Sequence, residues 1–147
     1  NYGNWFNVPY AITYFYNVYG PREIQTGKYA TLIALFKEKM KNNEPLTVVS
    51  PGTQKRNFTH IDDIINGLVL VGKNGYGDEF GIGSGEAFSV LDIATIYGGE
   101  VQMLPERKGN RMTADVINSK TEALGWKPSM SVKRYIEELR MNSWCNF

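Results

Sequence analysis

The chain is short of several things, and each shortage excludes a class of protein. It has one cysteine, Cys145, in 147 residues, so no internal disulfide can form. A reducing, cytoplasmic compartment is therefore expected. It has one histidine, His60, with no serine, cysteine or metal-ligand partner at a telling spacing. Neither a metal centre nor a nucleophile–histidine pair is indicated. Charge of one sign is missing too, since 16 basic residues meet 15 acidic ones and the net charge is +1. Nucleic-acid binding asks for a basic excess or stripe, so no such partner is expected. No apolar run nears the roughly 18 residues of a membrane span, and no membrane partner is expected. The opening Asn1-Tyr2-Gly3-Asn4-Trp5 has no signal-peptide pattern and no methionine, and it reads as the start of a fragment.

What is present is globular. Hydrophobic residues make up 42% and aromatics 13%, enough for one domain with a modest core. The most informative run is Gln54-Lys55-Arg56-Asn57-Phe58-Thr59-His60-Ile61-Asp62-Asp63-Ile64. Thr59 reads as a helix N-cap with Asp62 as the capping-box acid. Ile61, Ile64, Ile65, Leu68 and Val69 then follow helical spacing, which predicts one buried face. Arg56 stands just before this helix. A guanidinium on a fixed loop suits a phosphate; equally, it suits a simple ion pair with Asp62 or Asp63.

Around this run the chain alternates strands and helices. Tyr10–Tyr16 is apolar, β-branched and aromatic, and predicts a parallel strand buried on both faces. Asn17 follows at its carboxyl end, where ligands of open α/β sheets gather. Thr31 opens a helix carrying Leu32, Leu35, Phe36 and Met40, and Leu46–Val49 is a short strand. Glu79–Gly83 is a second buried strand. Ser89 and Asp92 open another helix, and Val101–Leu104 is a further strand. A basic loop, 106–111, offers a second anion clamp or a solvated turn. Residues 115–124 read as helix up to Gly125, and Ser131 caps a last one with Val132, Tyr135, Ile136 and Leu139 inward.

Four motifs in this order resemble the C-terminal part of an extended short-chain dehydrogenase/reductase. They are Asn17-Val18-Tyr19-Gly20-Pro21-Arg22, then Arg56-Asn57-Phe58-Thr59-His60-Ile61-Asp62-Asp63, then Phe80-Gly81-Ile82-Gly83-Ser84-Gly85, and Leu124-Gly125-Trp126-Lys127-Pro128 after Ala114-Asp115. The nearest type is the NAD-dependent sugar-nucleotide epimerases and dehydratases of the UDP-glucose 4-epimerase kind. The resemblance implies an α/β fold: a C-terminal fragment of a Rossmann-type enzyme. It would comprise a small mixed substrate domain plus two strands of the parent parallel sheet. Residues 1–147 would form a single substrate-binding portion, with the NAD-binding Rossmann part absent.

The same resemblance implies site roles. Asn17 would bond the sugar or phosphate, and Thr31 and Leu32 would meet the nucleotide. Thr47 and Val49 would sandwich the base. Arg56 and Arg107 would clamp the diphosphate from two sides. Asn110 would hold the ribose, standing where relatives have an acid. Phe15 and Val18 would lie near the nicotinamide. The family's glycine-rich turn and its Tyr-x-x-x-Lys acid/base pair are both missing, so no catalytic residue is expected here. NAD is expected for the full-length enzyme and not for this stretch alone. A UDP-sugar or other nucleotide-sugar is the expected ligand, and a second copy or the missing N-terminal half the expected partner. A 4,6-dehydratase fragment, or a non-catalytic binding or assembly module, is the alternative reading.

Overall fold

The structure is a computed structural model that describes residues 1–107, 109, 112–113 and 115–144. The chain opens with a short helix, α1 (Tyr2–Phe6), that buries none of its residues. Strand β1 (Ala11–Phe15) follows, then β2 (Val18–Tyr19), α2 (Leu32–Lys41) and β3 (Leu46–Val49). The central run supplies β4 (Lys55–Asn57), β5 (Thr59–His60) and the longest helix, α3 (Ile61–Asn74). Then come β6 (Gly77–Ile82), β7 (Ala87–Ser89), α4 (Val90–Tyr97) and β8 (Val101–Leu104). The described chain closes with α5 (Ser119–Ala123) and α6 (Val132–Met141).

Among the described residues the strands form four two-stranded sheets: β1–β6, β2–β5, β3–β8 and β4–β7. The first three are parallel and the last antiparallel. Each parallel pair joins strands far apart in sequence, so helices must carry the chain between them. That yields the mixed α/β architecture expected from the sequence.

The main core lies between α2, α4, α6 and β3. Ile33, Phe36, Leu46, Val48, Ile93, Tyr97, Ile136 and Leu139 are buried there. The Tyr97 hydroxyl donates to the Ile33 carbonyl at 2.8 Å, so a phenol inside the core is satisfied. Burial pushes the Tyr97 and Tyr19 hydroxyls far above the ordinary phenol range, so both stay neutral. A smaller cluster of Ile64, Ile82 and Trp126 fixes α3 against β6. Gly67 permits that contact, because a Cβ there would lie 2.7 Å from Ile82 Cγ2.

Helix ends follow local chemistry closely. Thr31 caps α2 by accepting from the Ala34 N–H, and Ser131 caps α6 by accepting from Arg134. Ser89 and Asp92 form a reciprocal capping box on α4.

Several sequence expectations are corrected. The cap of α3 is His60, whose Nδ1 accepts from the Asp62 N–H at 3.3 Å, rather than Thr59. Thr59 sits in β5, and its hydroxyl accepts from the Ser84 N–H instead. The buried face of α3 carries Asp63, Ile64, Gly67 and Val71. Ile65, Leu68 and Val69 are exposed, because no described residue covers that side. β1 is likewise exposed at Ile12, Tyr14 and Phe15, because α3 packs against only one face of it, over Ala11 and Thr13. The helix expected from 115 begins only at Ser119. Before it, the Ile117 N–H donates to the Tyr16 hydroxyl, and Asn118 Nδ2 donates to the Gly83 carbonyl. Those long-range bonds hold 117–118 out of the helix and over the sheet.

Candidate functional site

Strand β4 and the turn after β1 build one wall of the site. Asn17 adopts a left-handed backbone with φ 38°, a conformation asparagine tolerates better than most residues. Its Nδ2 donates to the Asn57 carbonyl at 3.1 Å, and its own carbonyl accepts from the Thr59 N–H. The turn is thereby tied to β4 and β5. Asn57 Nδ2 in turn donates to the Ser84 carbonyl at 3.0 Å and the Glu86 carbonyl at 3.3 Å, locking β4 beside the β6–β7 turn. Arg56 rides on this braced strand, half-buried, with Nη1 donating to the Lys55 carbonyl at 2.7 Å.

The opposite wall is the start of α2. Thr31 and Leu32 stand there. The loop before them is held by Glu23, which accepts from the Gly20 N–H at 2.9 Å and from the Thr31 hydroxyl. Burial pushes the Glu23 carboxyl above its ordinary range, against those two hydrogen bonds.

Between the walls lies a cavity of about 320 Å³, lined by Asn17, Val18, Thr31, Leu32 and Arg56 together with Ile33, Gln54, Phe58 and Val90. Five residues singled out from the sequence thus share one space. It is large enough for part of a small-molecule ligand. One cation, several amide and hydroxyl groups and an apolar floor suit a molecule that is anionic at one point and flat or apolar at another.

The remaining sequence candidates stand elsewhere. Thr47 and Val49 lie on β3, half-buried; neither lines the cavity, although the Val49 carbonyl accepts from Gln54, which does. Phe15 ends β1, half exposed and apart from the cavity lining. Arg107 is exposed in the stretch after β8. Asn110 lies outside the described residues. Gln54, Ile33, Phe58 and Val90 were missed by sequence reasoning. Gln54 stands two positions before Arg56, just outside β4, so no strand periodicity marked it.

His60 takes no part in the cavity. Its ring packs edge-on to Tyr19 at 5.3 Å, and its Nδ1 is engaged as the cap of α3. Asp63 accepts from the Ser129 and Met130 N–H groups and is committed to structure. Among the described residues no group of three or more His, Cys, Asp or Glu could hold a metal ion, and no helix is long and apolar enough to cross a membrane.

Comparison with known proteins places the chain. The model of the NAD dependent epimerase/dehydratase family matches residues 1–83, more than half of it. The chain belongs to this family. A dTDP-L-rhamnose 4-epimerase of Burkholderia thailandensis is 33% identical over 90% of this chain and 39% of its own length. A protein described as a putative UDP-glucose 4-epimerase of Methanocaldococcus jannaschii is 30% identical over 97% of this chain and 48% of its own. The solved UDP-glucose 4-epimerase of Thermotoga maritima, with UDP-glucose, superposes with TM-score 0.86 at 26% identity, over 96% of this chain and 49% of that one. The UDP-glucuronic acid 4-epimerase of Bacillus cereus, in complex with UDP-glucuronic acid and NAD, gives 0.79 at 29% identity, over 92% and 45%. This epimerase-family chain spans less than half the length of each of these relatives. Its parallel β1–β6 pair and mixed remainder match that part of a Rossmann-type epimerase structure.

Proposed function

We propose that this chain is the nucleotide-sugar-binding portion of an NAD-dependent sugar epimerase, similar to UDP-glucose 4-epimerase, and is inactive by itself. The observation that carries the reading is the shared cavity: Arg56, Asn17, Thr31 and Leu32 converge on it from two walls. Arg56 would grip the diphosphate, and a guanidinium does so with paired, charge-assisted hydrogen bonds. Asn17 would meet the sugar or phosphate. Thr31 and Leu32 would meet the nucleotide, with Thr47 and Val49 flanking the base. Arg107 would close on the diphosphate from the loop after β8, and Asn110 would reach the ribose.

The residues present do not make a dinucleotide site. They include no glycine-rich turn after a first strand and no tyrosine with a lysine four positions on. No hydride or proton transfer is therefore assigned to this chain. Phe15 and Val18 would border a nicotinamide supplied with the remaining half of the enzyme. That half is also the partner that fits the exposed apolar side chains of α1 and β1: Ile12, Phe15, Trp5 and Phe6 are exposed at 41%, 50%, 70% and 63%. Exposed apolar surface beside an open strand edge marks an association face. A soluble, cytoplasmic setting fits this reading.

Titration calorimetry with UDP-glucose tests it. Saturable binding that the Arg56→Ala chain weakens is the expected result. An Arg56→Ala chain that binds as tightly as the original overturns the assignment of Arg56, and a wild-type chain that takes up no nucleotide-sugar overturns the function.

A further inference from the structure

Gln54 lines the cavity, is 6% exposed, and has its Oε1 buried without a hydrogen-bond partner among the described residues. Its Nε2 donates to the Val49 carbonyl at 3.3 Å. Turning the amide over would set Oε1 against that carbonyl, acceptor against acceptor, so the orientation is fixed by chemistry. A buried acceptor with no partner is costly to maintain, and a native structure that keeps one calls for a reason.

The neighbour sharpens the point. Gln54 stands two positions before Arg56, and both line the same cavity. Gln54 immediately precedes β4 and Arg56 lies within it, so one short segment brings both side chains to the cavity. Arg56 presents only donors and so selects acceptors, such as phosphate oxygens. Gln54 Oε1 presents only an acceptor and so selects a donor, which the doubly esterified, fully ionised diphosphate of a nucleotide-sugar does not offer.

We infer that Gln54 is a specificity residue: its Oε1 accepts a hydrogen bond from an O–H or N–H of the bound nucleotide-sugar, next to the phosphate that Arg56 holds. This rests on the nucleotide-sugar reading. The donor belongs either to the nucleoside, through a ribose hydroxyl or a base N–H, or to the sugar beyond the diphosphate, through a ring hydroxyl. A ligand that offers the phosphate alone leaves Oε1 unpaired and gains nothing from Gln54.

Three ligands separate these sources: inorganic diphosphate, UDP and UDP-glucose. Each is titrated against the wild-type chain, Gln54→Met and Gln54→Asn, with the thermal midpoint followed for every protein. Methionine matches the length without an acceptor. Asparagine keeps the amide but withdraws it by one methylene, so it preserves polarity if the methionine variant does not fold. The expected result is unchanged diphosphate affinity and about a tenfold loss for UDP-glucose, the worth of one neutral hydrogen bond. An equal loss for UDP puts the donor on the nucleoside; loss for UDP-glucose alone puts it on the sugar. Equal weakening of all three ligands, diphosphate included, marks a purely structural glutamine and overturns the inference. So does an unchanged affinity for UDP-glucose in both variants. A wild-type chain that binds none of the three overturns the nucleotide-sugar reading itself.

Discussion

The carboxylate of Asp63 accepts from both the N–H and the hydroxyl of Ser129, at 2.9 Å and 2.6 Å. Its second oxygen accepts from the Met130 N–H at 3.2 Å, and its backbone carbonyl accepts from Trp126 Nε1 at 2.9 Å. One residue on α3 thus fastens the whole segment that leads into α6. The Tyr19 hydroxyl donates to the Met130 carbonyl at 2.8 Å and holds the same segment from the other side.

Asp63→Ala removes three hydrogen bonds to a charged acceptor and leaves donors unmet. A loss of about 3 kcal/mol of unfolding free energy is expected, by urea denaturation followed in tryptophan fluorescence. Asp63→Asn keeps one acceptor oxygen and is expected to cost less. Equal and small losses for both would show that the segment is held by packing alone.

Gly67 and Gly72 share α3 and are expected to respond to alanine with opposite signs. Alanine is favoured over glycine in a helix by about 1 kcal/mol. At Gly72 nothing lies within 4 Å of the added methyl, so the gain stands and the thermal midpoint rises. At Gly67 the methyl would meet Ile82 Cγ2 at 2.7 Å and Trp126 Nε1 at 3.0 Å. Ile82 is fully buried and Trp126 nearly so, so neither can step aside. Overpacking costs about 1–3 kcal/mol, so the clash wins and Gly67→Ala destabilises.

Two carboxylates set opposite pH dependences. The Glu23 carboxyl is held above its ordinary value of 4.5 mainly by burial. Its stabilising contribution is full below that value and is lost as pH rises through the higher, folded-state value. Asp92 is held below 3.8 by the Ser89 backbone and side-chain hydrogen bonds. Its contribution is present above 3.8 and lost as pH falls through the lower, folded-state value. Denaturation curves from pH 3 to pH 7 separate the two, where Glu23→Gln should improve relative to wild type as pH rises. Asp92→Asn should cost about 1 kcal/mol at neutral pH and less in acid, the usual worth of a helix cap. Parallel pH profiles for wild type and both variants would remove these two groups from the account.

Arg107 offers a separate check on the proposed diphosphate clamp. Arg107→Ala is expected to weaken UDP-glucose binding by about 1.5–3 kcal/mol, as for a hydrogen bond to a charged group. The effect should shrink with added salt more than that of Arg56→Ala, because Arg107 is exposed and Arg56 half-buried. Calorimetry at two ionic strengths reads both numbers, and indifference to Arg107 would leave Arg56 as the sole tested cation.

The uncovered face makes its own prediction. Amides along the outer edge of β1 should exchange with deuterium quickly in the isolated chain, since β6 protects only one side. They should slow when the cofactor-binding half of a relative is added, and light scattering should show one-to-one association. Edge amides already protected in a monomer would contradict a docking role.

The sequence by itself determined most of the local order. Hydroxyl and acid spacings around Thr31, Ser89 and Ser131 set the helix starts, because caps depend on residues three apart. Four short motifs were enough to indicate the family, and β1 and β6 read as strands from their apolar runs. Only the tertiary structure decided which faces are covered. Periodicity marks Ile65, Leu68 and Val69 as fit for burial, yet burial needs a neighbour, and the described residues supply none there. Thr59 and His60 exchanged roles for the same kind of reason: a backbone N–H from Ser84, 25 positions away, takes the threonine hydroxyl. Gln54 was visible as a letter beside Arg56. Its unmet acceptor and its place in the cavity come from contacts that no linear pattern records.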